Sequence, residues 1–176
     1  MAATPTNPNL KVAFIGDSGE GTDFQRVLNL IKAENAEIVF HQGDFSYTNS
    51  ATTWTNRINT TLPNTIYLGS DGNHDDWNLY APFFQQQIAK RQADLTVTGT
   101  VASGNYAVVY KGLKVANIQE NGYTTFAKDQ LQTADNIWKV CAWHKNQQAM
   151  QVGSKTDERG WQLYEDCRTA GAVIMT

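Results

Sequence analysis

The chain has 176 residues, 41% of them hydrophobic and 11% aromatic, enough for one domain with a real core and no need of a disulfide lattice. Lys and Arg number 14 against 17 Asp and Glu, a formal charge of −3 without any basic run, which argues against a nucleic-acid or other polyanion-binding surface. No apolar run reaches the ~18–20 residues of a membrane span, and the two cysteines, Cys141 and Cys167, are too few for a disulfide framework or a thiolate zinc site.

A polar, Pro-punctuated tail over residues 1–10, expected to be disordered, lacks the basic-then-apolar order of a secretory leader. The apolar run Val12–Ile15 then stops at Gly16-Asp17, the pattern of a buried strand feeding a loop. Phe24, Val27, Leu28 and Ile31 recur at helical spacing, with Thr22 or Asp23 as the candidate cap. A second strand, Ile38–His41, again ends in Gly-Asp. A helical stretch through Trp54 and Ile58 leads to a third strand, Ile66–Leu68, ending at Asp71-Gly72-Asn73-His74. Helix signals resume from Asp76, a candidate N-cap, to Lys90, with Tyr80, Phe84 and Ile88 stacked at fours. This strand–helix alternation predicts parallel pairing and an α/β fold.

From Asn105 the rhythm changes. Tyr106–Tyr110 and Leu113–Ile118, joined by Lys111-Gly112, predict a hairpin. A short helix over Phe126–Leu131, a strand over Lys139–Trp143, a helix over Trp161–Cys167 and a strand over Ala172–Met175 follow. With no repeat or linker, residues 11–176 form one domain.

The chemistry-bearing residues sit at strand ends: Asp17, Asp44, the Asp71/Asn73/His74 group and His144. In open α/β sheets the loops at the carboxyl ends of strands converge on the site. One strand–Gly–Asp is an ordinary turn; three in register, with a fourth strand ending in histidine, point to a metal centre. Carboxylate, amide and imidazole donors suit divalent or trivalent ions. His41, within a strand, is expected to be a satisfied core imidazole. Trp77 and Trp143 are expected in the core, and Lys145 in solvent. Asp157, Glu158 and Arg159 are expected on the solvated first turn of a helix. Cys141 and Cys167 are expected as buried thiols, a bridge being the alternative. The Asn/Gln/Thr-rich, charge-poor composition and the Asn59-Thr60-Thr61 glycosylation match favour a secreted or periplasmic setting over a cytoplasmic one.

Taken together, Asp17-Ser18-Gly19, Gly43-Asp44-Phe45-Ser46-Tyr47 and Gly72-Asn73-His74-Asp75 resemble, in this order, the calcineurin-like metallophosphoesterases. That family's first motif is usually Asp-x-His; Gly19 replaces the histidine here. The purple acid phosphatase branch shares the Asp-x-Gly variant and compensates with a tyrosine in Gly-Asp-x-x-Tyr, matched by Tyr47. His144 matches the fourth motif in position, one residue further from Val140 than in the branch's usual Val-x-x-His.

The resemblance implies an αββα sandwich and a binuclear centre. Asp44 would bridge two ions, Asp17 and Tyr47 would complete a ferric side, and Asn73 and His144 would hold Zn²⁺, Mn²⁺ or Fe²⁺. His74 would be catalytic, contacting the phosphoryl oxygen or the leaving group, with Asp75 or Asp71 holding its second ring nitrogen. The implied activity is hydrolysis of phosphate mono- or diesters through a metal-bound hydroxide. The family's final Gly-His-x-His or Ala-His-x-His motif would begin where this sequence ends, at Thr176, and its three histidines are all accounted for. The expectation is therefore a domain whose C-terminal part is missing, with a homodimer or a complementing C-terminal segment as partner. Two other readings compete. One is an inactive phosphoesterase-like fragment or binding module. The other is an SGNH-type serine esterase built on Gly16-Asp17-Ser18, which lacks that family's Asp-x-x-His.

Overall fold

The computed structural model describes residues 9–48, 50–121, 124–133, 138–151, 156 and 159–176. The first half alternates β1 (Val12–Ile15), α1 (Thr22–Ala33), β2 (Ile38–Gln42), α2 (Ala51–Thr61), β3 (Ile66–Ser70) and α3 (Trp77–Lys90). The second half runs β4 (Thr96–Thr100), β5 (Asn105–Tyr110), β6 (Leu113–Asn117), α4 (Phe126–Leu131), β7 (Trp138–Ala142), α5 (Trp161–Thr169) and β8 (Val173–Met175).

β1, β2 and β3 pair in parallel in that order, Ile15 opposite His41 and His41 opposite Gly69. The other five strands form a second sheet in sequence order, antiparallel from β4 to β6 and parallel from β6 to β8. The two-residue period of a strand sorts its side chains into two cores. Tyr106, Val108, Val115, Val140 and Ala142 face the first sheet and share a core with it and with Phe24, Leu28, Trp54, Tyr80 and Phe84 of α1–α3. Ala107, Ala116 and Cys141 face the other way, against Leu131 of α4 and Leu163 and Cys167 of α5. The layers are helices, sheet, sheet, helices: the αββα sandwich. The Tyr106 hydroxyl ties the two sheets directly, donating to the Gly69 carbonyl at 2.7 Å and accepting from the Gly69 N–H at 3.1 Å.

Several local expectations change. β4 carries no sequence signal: its five residues, Thr96–Thr100, are mostly exposed, so no apolar alternation marks them, and the strand exists through its ladder to β5. α1 is capped by the backbone of Gly21 rather than by Thr22 or Asp23, whereas Asp76 does cap α3, accepting from Asn78 N–H at 3.1 Å. Arg159 is buried instead of solvated, its guanidinium donating to the carbonyls of Gln119 and Glu120 at 2.6 and 2.7 Å; Asp157 and Glu158 lie outside the described residues. Asn59 sits within α2 and accepts from Gln87 of α3 at 3.3 Å. Leu10 packs against the first core, and β8 is an edge strand.

The cysteines are corrected as well: Cys141 and Cys167 form a disulfide. Cys141 points out of β7 and Cys167 lies on the buried side of α5, and their packing brings the two Cα atoms to 6.2 Å, within bridging range. The bridge closes a loop with a sequence separation of 26. Replacing both cysteines by alanine is expected to lower stability by about 2–4 kcal/mol, measured by urea unfolding with and without reductant.

Candidate metal centre

The loops after β1, β2, β3 and β7 meet at one end of the sandwich. Those after β1 and β2 are zipped together, Asp17 N–H donating to Gly43 O and Ser18 N–H to Asp44 O, both at 3.0 Å. Asp17 and Asp44 both adopt the left-handed region, with φ of 50° and 55°, which aspartate tolerates better than most side chains. The loops after β2 and β3 approach so closely that a Cβ on Gly72 would lie 2.2 Å from Asp44 Oδ1, and one on Gly43 2.5 Å from the Gly72 backbone. Only glycine fits at either place.

Asp75 fastens this crossing. Its carboxylate accepts from Asp44 N–H at 2.8 Å, Phe45 N–H at 2.9 Å and Gly72 N–H at 2.8 Å. Burial pushes its pKa up to about 6 despite those three bonds.

Between the loops, lone pairs converge. A carboxylate oxygen of Asp17, one of Asp44 and a ring nitrogen of His144 lie within 4.8 Å of one another. His144 Nδ1 is 2.7 Å from Gln42 O, so Nδ1 carries the proton in the neutral ring and Nε2 offers a lone pair. That Nε2 faces Asn73 Oδ1 at 3.1 Å and Asp44 Oδ1 at 3.3 Å. With the ring neutral, Nε2, Asn73 Oδ1 and Asp44 Oδ1 turn lone pairs towards one another, an arrangement that positive charge among them stabilises. The donor set, oxygen with one imidazole, fits a metal ion. Tyr47 joins it from the side, its hydroxyl donating to Asp17 Oδ1 at 3.3 Å. Burial, followed by the Asp17 and Asp44 carboxylates, holds its phenol well above the usual range; a nearby cation reverses that pull.

Comparison with known proteins agrees. The calcineurin-like phosphoesterase family model matches residues 10–167. The chain belongs to this family. Among solved structures, a purple acid phosphatase, PPD1 from yellow lupin (Lupinus luteus) seeds, aligns with a TM-score of 0.62 at 16% identity, over 97% of this chain and 38% of that one. At that identity the likeness is one of fold, and the chain spans well under half of the lupin protein's length. No curated protein matches the chain.

The structure also places the remaining candidates of this phosphoesterase domain. His74 touches the centre through its backbone, its N–H donating to Asp44 Oδ1 at 3.1 Å. Its ring is exposed, lies edge-on to Tyr47 at 5.2 Å and has no hydrogen bond among the described residues. Neither carboxylate expected to hold that ring does so: Asp75 is taken up by amides, and Asp71 accepts from Glu120 N–H at 2.9 Å. The Ser18 Oγ is engaged in the packing, donating to Phe45 O at 3.0 Å and accepting from Trp54 Nε1 at 3.2 Å, and no histidine bonds to it among the described residues. Trp77 and Trp143 are packing residues, the first stacked on Phe84 and the second edge-on to Tyr164. Lys145 is not free in solvent but paired with the buried Glu120. Glu20 and Glu120 have no motif around them that would mark them in the sequence.

His41 is buried as expected, against Phe45, Trp54 and Tyr67, but neither ring nitrogen has a hydrogen-bond partner among the described residues. Burial, with His144 adding to it, pulls its pKa down to about 3 from 6.5. The folded ring stays neutral while the unfolded one takes a proton, so its contribution is intact above pH 6.5 and is lost as pH falls towards 3. Relative to His41→Phe, the wild type is expected to lose about 1.4 kcal/mol for each pH unit in that window, read from urea midpoints at pH 7, 5.5 and 4.5. Asp75→Asn cannot accept all three amides. It is expected to cost about 2 kcal/mol or more and to weaken metal uptake, checked by unfolding and calorimetric titration.

Proposed function

We propose that this chain is the metal-binding core of a phosphoesterase that hydrolyses phosphate mono- or diesters with two ions. Asp17, Asp44 and Tyr47 would hold one, for which a phenolate donor favours Fe³⁺. Asp44, Asn73 and His144 would hold the other, Zn²⁺, Mn²⁺ or Fe²⁺, Asp44 serving both. The observation that carries the reading is the convergence of Asp17, Asp44 and His144 donor atoms within 4.8 Å, in a chain of this family. When bound, such ions supply Lewis acidity at the phosphoryl oxygen and lower the pKa of a coordinated water.

The protein's own groups orient and shield. The Gln42 carbonyl keeps the proton of His144 on Nδ1 and its Nε2 lone pair on the centre. Asn73 contributes an uncharged oxygen, limiting the negative charge gathered beside an anionic substrate. The exposed His74 ring, with no hydrogen bond among the described residues, stands beside Tyr47 at the rim, where an N–H can be donated to a phosphoryl or departing oxygen. The name of the lupin protein, an acid phosphatase, supports phosphate esters as the substrate class. The proposal sets the protein in an oxidising compartment, secreted or periplasmic, which the Cys141–Cys167 bridge supports.

Elemental analysis of the purified chain together with turnover of p-nitrophenyl phosphate and bis(p-nitrophenyl) phosphate tests this. Two ions per chain and hydrolysis are expected in the wild type. Asp44→Asn is expected to lose at least one ion and more than a hundredfold in rate while retaining its far-UV circular dichroism. A wild type that takes up no metal would leave an inactive scaffold instead.

A further inference from the structure

The position of Tyr47 needs explaining. The residue is 53% exposed, touched by the His74 ring edge and bonded to Asp17 at a long 3.3 Å. Only the hydroxyl end meets a desolvated environment, so the backbone carries most of the placement. The residues on either side of it both end on one carboxylate. Ser46 Oγ donates to Glu20 Oε2, and Thr48 Oγ1 donates to Glu20 Oε1. Ser46 is fully buried, and its Oγ also accepts from the N–H groups of Thr48 at 3.4 Å and Ser50 at 3.2 Å. With its lone pairs facing those amides, its proton goes to Glu20, the nearer of two acceptors, the other being Thr48 Oγ1 at 3.3 Å. The same two hydroxyls hold the Glu20 pKa below its usual value, so both oxygens are acceptors at neutral pH.

Glu20 thereby continues the zipper that starts with Asp17–Gly43 and Ser18–Asp44. The earlier rungs set the two aspartates; this last one sets the tyrosine. We propose that Glu20 is a positioning residue that clamps the Ser46–Thr48 segment and presents the Tyr47 hydroxyl to the centre. The inference rests on the reading of Tyr47 as a metal ligand, and it extends that reading to a residue three positions beyond Asp17 that does not itself face the lone-pair cluster.

The substitutions separate geometry from charge. Glu20→Gln keeps both contacts, its carbonyl accepting from Ser46 and its amide donating to Thr48 Oγ1, whereas Glu20→Ala removes both. In metal-free protein labelled with ¹³C-tyrosine, the Tyr47 ring signal is assigned by its loss in Tyr47→Phe. Glu20→Ala is expected to shift that signal towards free tyrosine and to speed hydrogen exchange of the Thr48 and Ser50 amides at least tenfold. Glu20→Gln is expected to stay within threefold of the wild type. On loading with Fe³⁺, the visible phenolate-to-iron absorption should weaken and iron binding fall at least tenfold in Glu20→Ala, with recovery in Glu20→Gln. An unchanged ring signal and unchanged exchange in Glu20→Ala overturn the proposal, as does a Glu20→Gln as impaired as Glu20→Ala, since charge would then be the operative property. If the wild type with Fe³⁺ shows no band that Tyr47→Phe removes, the ligand role of Tyr47 fails, and the metal-free measurements still decide the role of Glu20.

Discussion

The site hangs on a three-way contact between a carboxylate and the backbone. Asp75 draws the N–H groups of Asp44, Phe45 and Gly72 onto its two oxygens, and this is possible only because Gly43 and Gly72 let two loops cross at near-contact distance. A methyl group at either glycine would force the loops apart and carry Asp44 away from His144. The charge on Asp75 serves the site at one remove, fixing the direction in which another carboxylate points.

What this arrangement stores is electrostatic tension. Asp17 and Asp44 are held in left-handed backbone conformations, and the Gln42 carbonyl commits His144 to the tautomer that exposes a lone pair. The lone pairs gathered there repel one another, a cost that positive charge among them would relieve. The left-handed backbone of the two aspartates is a steric cost instead, met by the hydrogen bonds that join the loops. The tie between Tyr106 and Gly69 lies below it and locks the two sheets, so that β2 and β3 from one sheet and β7 from the other deliver their loops to the same end.

The outer contributions follow the same logic of indirect support. Glu120 engages Lys145 through its side chain and Arg159 and Asp71 through its backbone, stitching the loops after β3, β6 and β7. Glu20 does the same for the loops after β1 and β2. Neither carboxylate faces the lone-pair cluster.

The sequence alone determined the alternation of strand and helix, the helical stripe of Phe24, Leu28 and Ile31 (Val27, read into the same stripe, is exposed), and the placing of Asp17, Asp44, Asn73 and His144 at strand ends. These are local signals: periodicity, and a Gly-Asp that terminates an apolar run. Tertiary structure alone decided whatever depends on a partner distant in the chain. Thr96–Thr100 becomes a strand because β5 offers it a ladder, and Cys141 meets Cys167 because α5 packs on β7. Arg159 is buried because backbone carbonyls wait for it, and Asp75 serves amides rather than an imidazole because Gly43 and Gly72 bring those amides within reach. A hydrogen-bond acceptor has no preferred partner in the primary order; proximity in the folded chain selects one.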